Sequence, residues 1–277
     1  SLASGSDFVI NGSGLFDGST GQLTWTPSTP TNNLKWTYCW EGKLCDLAGT
    51  DPAGLNSLLD ASTGDADQVQ LRTEGNDLRF YQYDGGYEIN LWTDMVFRDP
   101  AAYYQIVLVY DSANATEGDR VKIYVNGTRV TAFSTEVYPS LSLACDLNKS
   151  GATTSIGRRY YIGGSAQVGY FEGYLSRAVF IDGQALDPTS FGEVTDDGFW
   201  QINDVSDLDF GDNGFLLTGG SAMSAGTDSS GNSNNFTKTG TITATNDSPT
   251  NGGDDDEYGN LAVISPLFPQ QGTTTLS

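Results

Sequence analysis

Apolar residues in this chain recur at every second position, in short runs broken by glycine, asparagine and aspartate, which is the pattern of strands joined by turns. Tyr104, Ile106, Leu108 and Tyr110 share one face of an extended segment, and Val121, Ile123 and Val125 repeat the alternation just before Asn126-Gly127. An Asn-Gly pair supplies the positive φ angles of a type I′ turn, so a further strand is predicted to fold straight back over Thr128 to Phe133. Lys122 and Tyr124 then fall on the outward face of this meander.

The same reading extends along the chain. Val69 to Thr73 and Leu78 to Tyr83 predict a hairpin joined at Glu74-Gly75-Asn76-Asp77, and Tyr87 to Trp92 adds a strand after Asp84-Gly85-Gly86. Phe8 to Ile10 and Leu23 to Thr26 read as short strands around turns at Asn11 to Gly14 and Asp17 to Gly21. Leu55 to Ala61 is a short apolar piece, and the alternation resumes at Ser155 to Ile162. Lys35 to Glu41 places Trp36, Tyr38 and Trp40 on one face and Thr37 and Cys39 on the other. Those three aromatics fit either a core strand, the commoner fate of such a pattern, or an exposed sugar-stacking platform. Many short strands at regular spacing predict an all-β protein built as an antiparallel β-sandwich, with no long helix.

Beyond Glu193 the texture changes. Thr195 to Gly220 alternates acids with Phe199, Trp200, Phe210, Phe215 and Leu216, which predicts one or two strands or a belt packed on the sandwich. Ser221 to Asn235 is almost wholly small and polar, and Gly252 to Glu257 is a charge run, so both read as loops or an extended arm. The apolar Leu261 to Pro269 closes the chain and suits docking on a neighbouring subunit or packing on its own. The expected organisation is a sandwich over 1–194 and an acidic, Gly/Asn/Ser-rich C-terminal extension over 195–277 that packs on the sandwich, on a neighbour, or on both.

The charge sharpens this picture. With 35 acidic and 13 basic residues the net charge is −22, which repels nucleic acid and anionic membranes. From Asp182 onward 15 acids face a single base, Lys238, so the acidity is concentrated in the last third. No run of 18 apolar residues occurs, and Ser1 to Asp7 has neither the basic segment nor the apolar core of a secretion signal; no membrane insertion is expected.

Candidate chemistry is narrow. The chain has no histidine, which removes His-based catalysis and the usual transition-metal sites. Its three cysteines, Cys39, Cys45 and Cys145, form no CxxC pair; Cys39 and Cys45 could bridge only across a bend, and buried or idle thiols are the alternative. Glycoside hydrolysis needs two carboxylates facing each other across a sugar. The nearest pair on one strand, Glu88 and Asp94, has a different arrangement, so a non-enzymatic protein is expected. Arg158 and Arg159 form a basic spot in an acidic chain, readable as a functional site or as partners for surplus carboxylates. Tyr83, Tyr87, Trp92, Tyr160 and Tyr161 lie at or near strand ends, where a rim site for a glycan could form.

Three segments carry a resemblance. Phe97-Arg-Asp-Pro-Ala-Ala-Tyr-Tyr104, Phe180 to Glu193 (FIDGQALDPTSFGE) and Asp228 to Thr237 (DSSGNSNNFT), together with Leu15 to Gly21, are similar to laminin-G-like, concanavalin-A-like jelly-roll proteins of tailed phages of marine or cyanobacterial type. That resemblance implies a jelly roll and a surface protein of a virion, made in the host cytoplasm, serving host-glycan adhesion or surface decoration. Its partners would be other virion proteins, further copies of itself and host surface polysaccharide. Two alternatives remain open: a purely structural capsid or tail clamp that binds no glycan, and a secreted or cell-surface lectin-like module of a cellular organism. The resemblance requires no cofactor but implies a structural Ca2+ at Asp17 and Glu172, in Phe-Asp-Gly and Phe-Glu-Gly. Related domains carry another acid shortly after the second motif, where this chain has Ser176 and Arg177.

Overall fold

The computed structural model describes residues 8–47, 54–62, 67–159 and 169–250. Two antiparallel sheets stack face to face. The first is ordered β10 (Thr128–Arg129), β9 (Val121–Val125), β8 (Tyr104–Asp111), β3 (Lys35–Leu44), β13 (Glu172–Asp182), β1 (Ser13–Asp17) and β18 (Ile242–Thr245), with β16 (Phe215–Thr218) also pairing with β13. The second runs β11 (Phe133–Val137), β7 (Tyr87–Val96), β6 (Asp77–Asp84), β5 (Asp67–Glu74), β4 (Leu55–Asp60), β12 (Thr154–Ile156), β2 (Gln22–Trp25) and β17 (Thr237–Thr239). A small hairpin of β14 (Gly192–Val194) and β15 (Trp200–Ile202) stands apart from both. The molecule is an all-β antiparallel sandwich, as the alternation predicts. Its one α-helix among the described residues is α1 (Gly220–Ala225).

The core lies between the sheets. Trp36, Tyr38 and Trp40 are fully buried there, so they are core residues and not a platform. Trp36 stacks on Tyr110 with ring centroids 5.1 Å apart and on Phe180 at 5.6 Å, and it meets Phe80 of the opposite sheet edge-on at 6.1 Å. Leu71, Phe80, Ile89 and Leu91 supply the facing layer from β5, β6 and β7.

The first sheet is buried on its other face as well. Cys39, Val107, Val109, Val179 and Ile181 point away from the sandwich and pack under Phe191, Val205, Phe210 and Leu216 of the chain that follows β13. The expected belt therefore exists. It explains why nearly every residue of β3 is buried, whichever way it points. Tyr124 joins this outer cluster, so much of the meander's outward face is covered. Within that layer Arg177 and Glu41, cross-strand neighbours, form a buried ion pair at 2.6 Å; Gln105 on the next strand donates to Glu41 at 2.8 Å, and Trp200 Nε1 donates to Gln105 at 2.9 Å.

The Asn-Gly turn forms as predicted, with φ of 47° at Asn126 and 73° at Gly127. A Cβ on Gly127 would lie 2.3 Å from the Trp200 ring, so glycine meets a backbone and a packing requirement at once. The strand after the turn differs from expectation. It ends at Arg129, and the chain crosses to the other sheet, where Phe133 pairs with Thr93. The start of the chain differs too: β1 begins at Ser13, inside the stretch read as a turn, because Gly14 fits where a Cβ would meet Met223 at 2.9 Å. Residues 195–250, distinguished in the sequence by texture alone, contribute β15, β16, α1, β17 and β18.

The conspicuous motifs prove to be stitching. Asp182, buried at the end of β13, accepts hydrogen bonds from Thr31 N (2.7 Å), Asn32 N (3.3 Å), Asn148 Nδ2 (2.6 Å) and Asn213 N (3.1 Å). Asp228 accepts from Leu216 N, Ser230 N and Asn234 N, while Asn232 and Asn234 both donate to the Gly214 carbonyl. FIDG and DSSGNSNN thus grip the same loop, 211–214, from two sides. Asp182→Ala strands several buried donors, each costing about 1–3 kcal/mol, so urea denaturation is expected to show a loss of roughly 3 kcal/mol or more. A loss below about 1 kcal/mol would show that this knot does not hold the belt.

Candidate functional site

With much of the outer face of the first sheet covered by the belt, attention falls on the outer face of the second, whose polar side chains are largely buried at its centre and reach solvent around Glu74, Tyr83 and Tyr87. Period-two alternation sends Val69 and Leu71 of β5 into the core and Gln68, Gln70, Arg72 and Glu74 outward. From β6, Leu78 and Phe80 point inward and Arg79, Tyr81 and Tyr83 outward. From β7, Asn90 and Trp92 lie beside them. A groove of about 520 Å³ opens on this face, lined by Leu55, Gln68, Arg72, Glu74, Tyr81, Tyr83, Tyr87 and Arg159.

The side chains form one network. Arg79 donates to Glu74 Oε2, to Asn90 Oδ1 and to the Tyr87 hydroxyl, each at 2.9 Å. Arg72 donates to the same Glu74 oxygen at 2.6 Å, to Gln70 at 2.9 Å and to the Tyr81 hydroxyl at 3.3 Å. Tyr81 and Arg159 both donate to Gln68 Oε1, at 3.0 and 2.9 Å. The Arg79 guanidinium lies 4.6 Å from the Trp92 ring, 5.0 Å from Tyr81 and 5.2 Å from Tyr87, so its charge is held by π faces as well as by hydrogen bonds. Burial works to raise the Glu74 carboxyl, but the two arginines outweigh it and hold it below the ordinary glutamate value. Burial raises the Tyr81 hydroxyl, which therefore stays a neutral donor. At 49 % exposure Tyr87 presents its ring to solvent, edge-on to Tyr83 at 5.2 Å.

Of the aromatics singled out in the sequence, Tyr83 and Tyr87 line this groove, and Trp92 lies against its arginine, half-buried. Tyr160 and Tyr161 fall outside the described residues. Sequence reasoning missed Tyr81, Arg72, Arg79, Gln68 and Glu74. The signal was present in β5, where polar side chains alternate with core residues over four successive outward positions. Arg159 belongs to the groove, whereas its neighbour Arg158 donates to Gln22 and lies over Tyr170.

Asp17 and Glu172 are cross-strand partners in β1 and β13. Burial works to raise the Asp17 carboxyl, but hydrogen bonds from the Thr20 hydroxyl (2.6 Å) and from the backbone N–H groups of Thr20, Gly21 and Ser19 hold it well below the usual carboxylate range. Both of its oxygens are spent on its own turn. Arg177, where the resemblance expects an acid, is bound to Glu41, and no cluster of three or more metal-ligating side chains occurs among the described residues. Burial and the neighbouring Asp46 and Asp17 carboxylates raise the Glu172 carboxyl, and since Ca2+ takes six to eight oxygens these acids alone would supply only part of a calcium shell. Cys39 and Cys45 lie six residues apart along one extended segment, roughly 20 Å, too far to bridge.

No protein-family model and no curated protein matches the chain. Solved structures with similar folds include the heptameric SAP-like pentraxin of Limulus polyphemus, at 16 % identity and a TM-score of 0.44, over 65 % of this chain and 79 % of that one. The mouse laminin α1 domains LG4-5 align at 13 % identity and a TM-score of 0.45, over 68 % of this chain and 47 % of theirs. Domain 4 of the arabinanase AbnA from Geobacillus stearothermophilus, solved with arabinotriose, aligns at 11 % identity and a TM-score of 0.44, over 68 % and 77 %. The strand order and the core between the sheets show the architecture directly: an antiparallel β-sandwich.

Asp17 makes the calcium question testable. A carboxyl whose folded pKa is depressed stabilises the fold above its unfolded value near 4, and that contribution is lost as pH falls further. Asp17→Asn should cost about 1 kcal/mol at pH 7, after discounting for solvent exposure, and the gap to wild type should close between about pH 5 and 2. Thermal melts with millimolar CaCl2 or EGTA should give the same gap. A calcium-dependent stabilisation that Asp17→Asn abolishes would restore the metal site.

Proposed function

We propose that the chain is a non-catalytic glycan-binding sandwich that engages a polysaccharide in the Tyr83–Tyr87 groove on the outer face of the second sheet. The observation that carries this reading is the combination at that face: the exposed Tyr87 ring and the half-buried Tyr83 ring beside a dense array of fixed amide, hydroxyl and guanidinium groups. Rings offer flat apolar surface to the C–H faces of a pyranose, and the polar array matches its hydroxyls without having to be reorganised on binding. Catalysis is disfavoured by the groove's chemistry. Its lining holds one carboxylate, Glu74, which is kept ionised between two guanidiniums, whereas hydrolysis requires a pair with divided acid and base roles.

The three motif segments similar to tailed-phage proteins supply the biological setting: an adhesion or decoration protein on a virion surface, contacting host polysaccharide. Proteomic analysis of purified particles tests the setting, and absence of the chain from every particle would favour the cellular lectin-like alternative. Binding is tested on an array of host envelope polysaccharides. Tyr87→Ala should weaken binding at least tenfold while shifting the melting temperature by less than about 3 °C, as expected for an exposed side chain. Failure of the wild-type protein against the whole array would leave the clamp reading in place of adhesion.

A further inference from the structure

We propose that Lys43 and Asp247 are joined by an amide bond, Nζ to Cγ, which fastens the segment after β18 to the middle of the first sheet. The glycan groove plays no part in this site. Lys43 Nζ and Asp247 Oδ2 are in direct contact, and the two side chains are 4 % and 7 % exposed. Both arrive on fixed backbone. Lys43 lies in β3 opposite Tyr174 of β13, whereas Asp247 is followed by Ser248 and Thr250, which tie the chain to Ile10 by buried hydrogen bonds of 2.7 and 2.9 Å. Two aromatic faces wall the amine, with ring centroids 4.5 Å away for Tyr174 and 4.9 Å away for Tyr103.

An amine and a carboxylate free in water do not condense unaided, but holding them in contact supplies an effective concentration that no bimolecular encounter reaches. Condensation also removes two charges from the interior, and with them the desolvation cost that a buried ion pair bears. The step is balanced within the pair. One proton passes from Nζ to Oδ2, the nitrogen lone pair adds to Cγ, and the Cγ–Oδ2 bond breaks as a second Nζ proton joins Oδ2. One amide forms and one water leaves, with no oxidant, reductant or co-substrate. The Tyr103 hydroxyl already donates to Asp247 Oδ1 at 2.8 Å, the oxygen on which negative charge develops during the addition. Burial raises that hydroxyl and the Asp247 charge raises it further, so it stays a neutral donor.

Intact-mass spectrometry of the denatured, reduced full chain tests the bond. Wild type should be lighter than its sequence by the mass of one water, and a protease digest should contain a branched peptide joining the stretch around Lys43 to the stretch around Asp247. Lys43→Arg, which keeps the positive charge, and Asp247→Ala should each return the full sequence mass. Tyr103→Phe, which keeps the ring and removes the donor, should lower the bonded fraction of freshly purified protein by roughly threefold or more, with circular dichroism as the folding control. The first measurement is made on wild type, so a variant that fails to fold does not obscure it. A wild-type mass equal to the sequence mass overturns the proposal and leaves an ordinary ion pair. So does a deficit that survives in Lys43→Arg, or one that maps to an Asp-Gly pair such as Asp84-Gly85, where closure to a cyclic imide loses the same water. Full bonding in folded Tyr103→Phe overturns Tyr103 as the donor.

Discussion

The pairing of β3 with β13 is the constraint on which the rest of this structure depends. These two long strands lie side by side at the centre of the first sheet, and each of their faces belongs to a different core. Trp36, Tyr38, Trp40 and Phe180 fill the space between the sheets, while Cys39, Val179 and Ile181 anchor the belt. Double burial makes an unpaired charge costly, and the two charged residues buried under the belt, Glu41 and Arg177, are bonded to each other. It also divides the molecule by use. Where the belt covers it, the first sheet offers little surface, and the groove described above lies on the outer face of its partner.

That partner face achieves its order differently. Its arginines do not rest on apolar packing but on a lattice of hydrogen bonds and aromatic faces, with Arg79 touching Glu74, Asn90, Tyr87, Tyr81 and Trp92 at once. Rigid placement of this kind lowers the ordering cost of binding, the property a weak-contact ligand such as a sugar needs most.

How much of this could be read from residues alone depended on the range of the interactions. Alternation and turn chemistry are local, so the hairpins at 69–83 and 104–125 and the Asn126-Gly127 turn were legible. The crossing at Val130–Ala132 was not, because Phe133 leaves its alternating run to pair with Thr93, forty residues away in sequence. Tyr83 and Tyr87 were legible as strand-end aromatics. Arg72 and Arg79 were not, since isolated arginines in strands look like ordinary surface residues until three strands are set side by side. What the motif segments do in the fold was also not legible: Asp182, Asp228 and Asn234 spend their hydrogen bonds largely on backbone N–H and carbonyl groups of the belt and the loops beside it.

The edge of the first sheet places the beginning and the end of the described chain next to each other, with β1 between β13 and β18 and Gly14 pressed against Met223 and Ile242. A ribosome delivers these pieces in the worst order for early closure. When residue 15 emerges its first partner lies some 160 residues ahead and its second some 230. Until β16, α1 and β18 arrive, the nascent sheet has a raw edge and a bare apolar outer face, the two features through which incomplete β proteins associate wrongly. The sandwich is thus a structure that becomes safe only near its completion, and its assembly is tied to the last third of the chain.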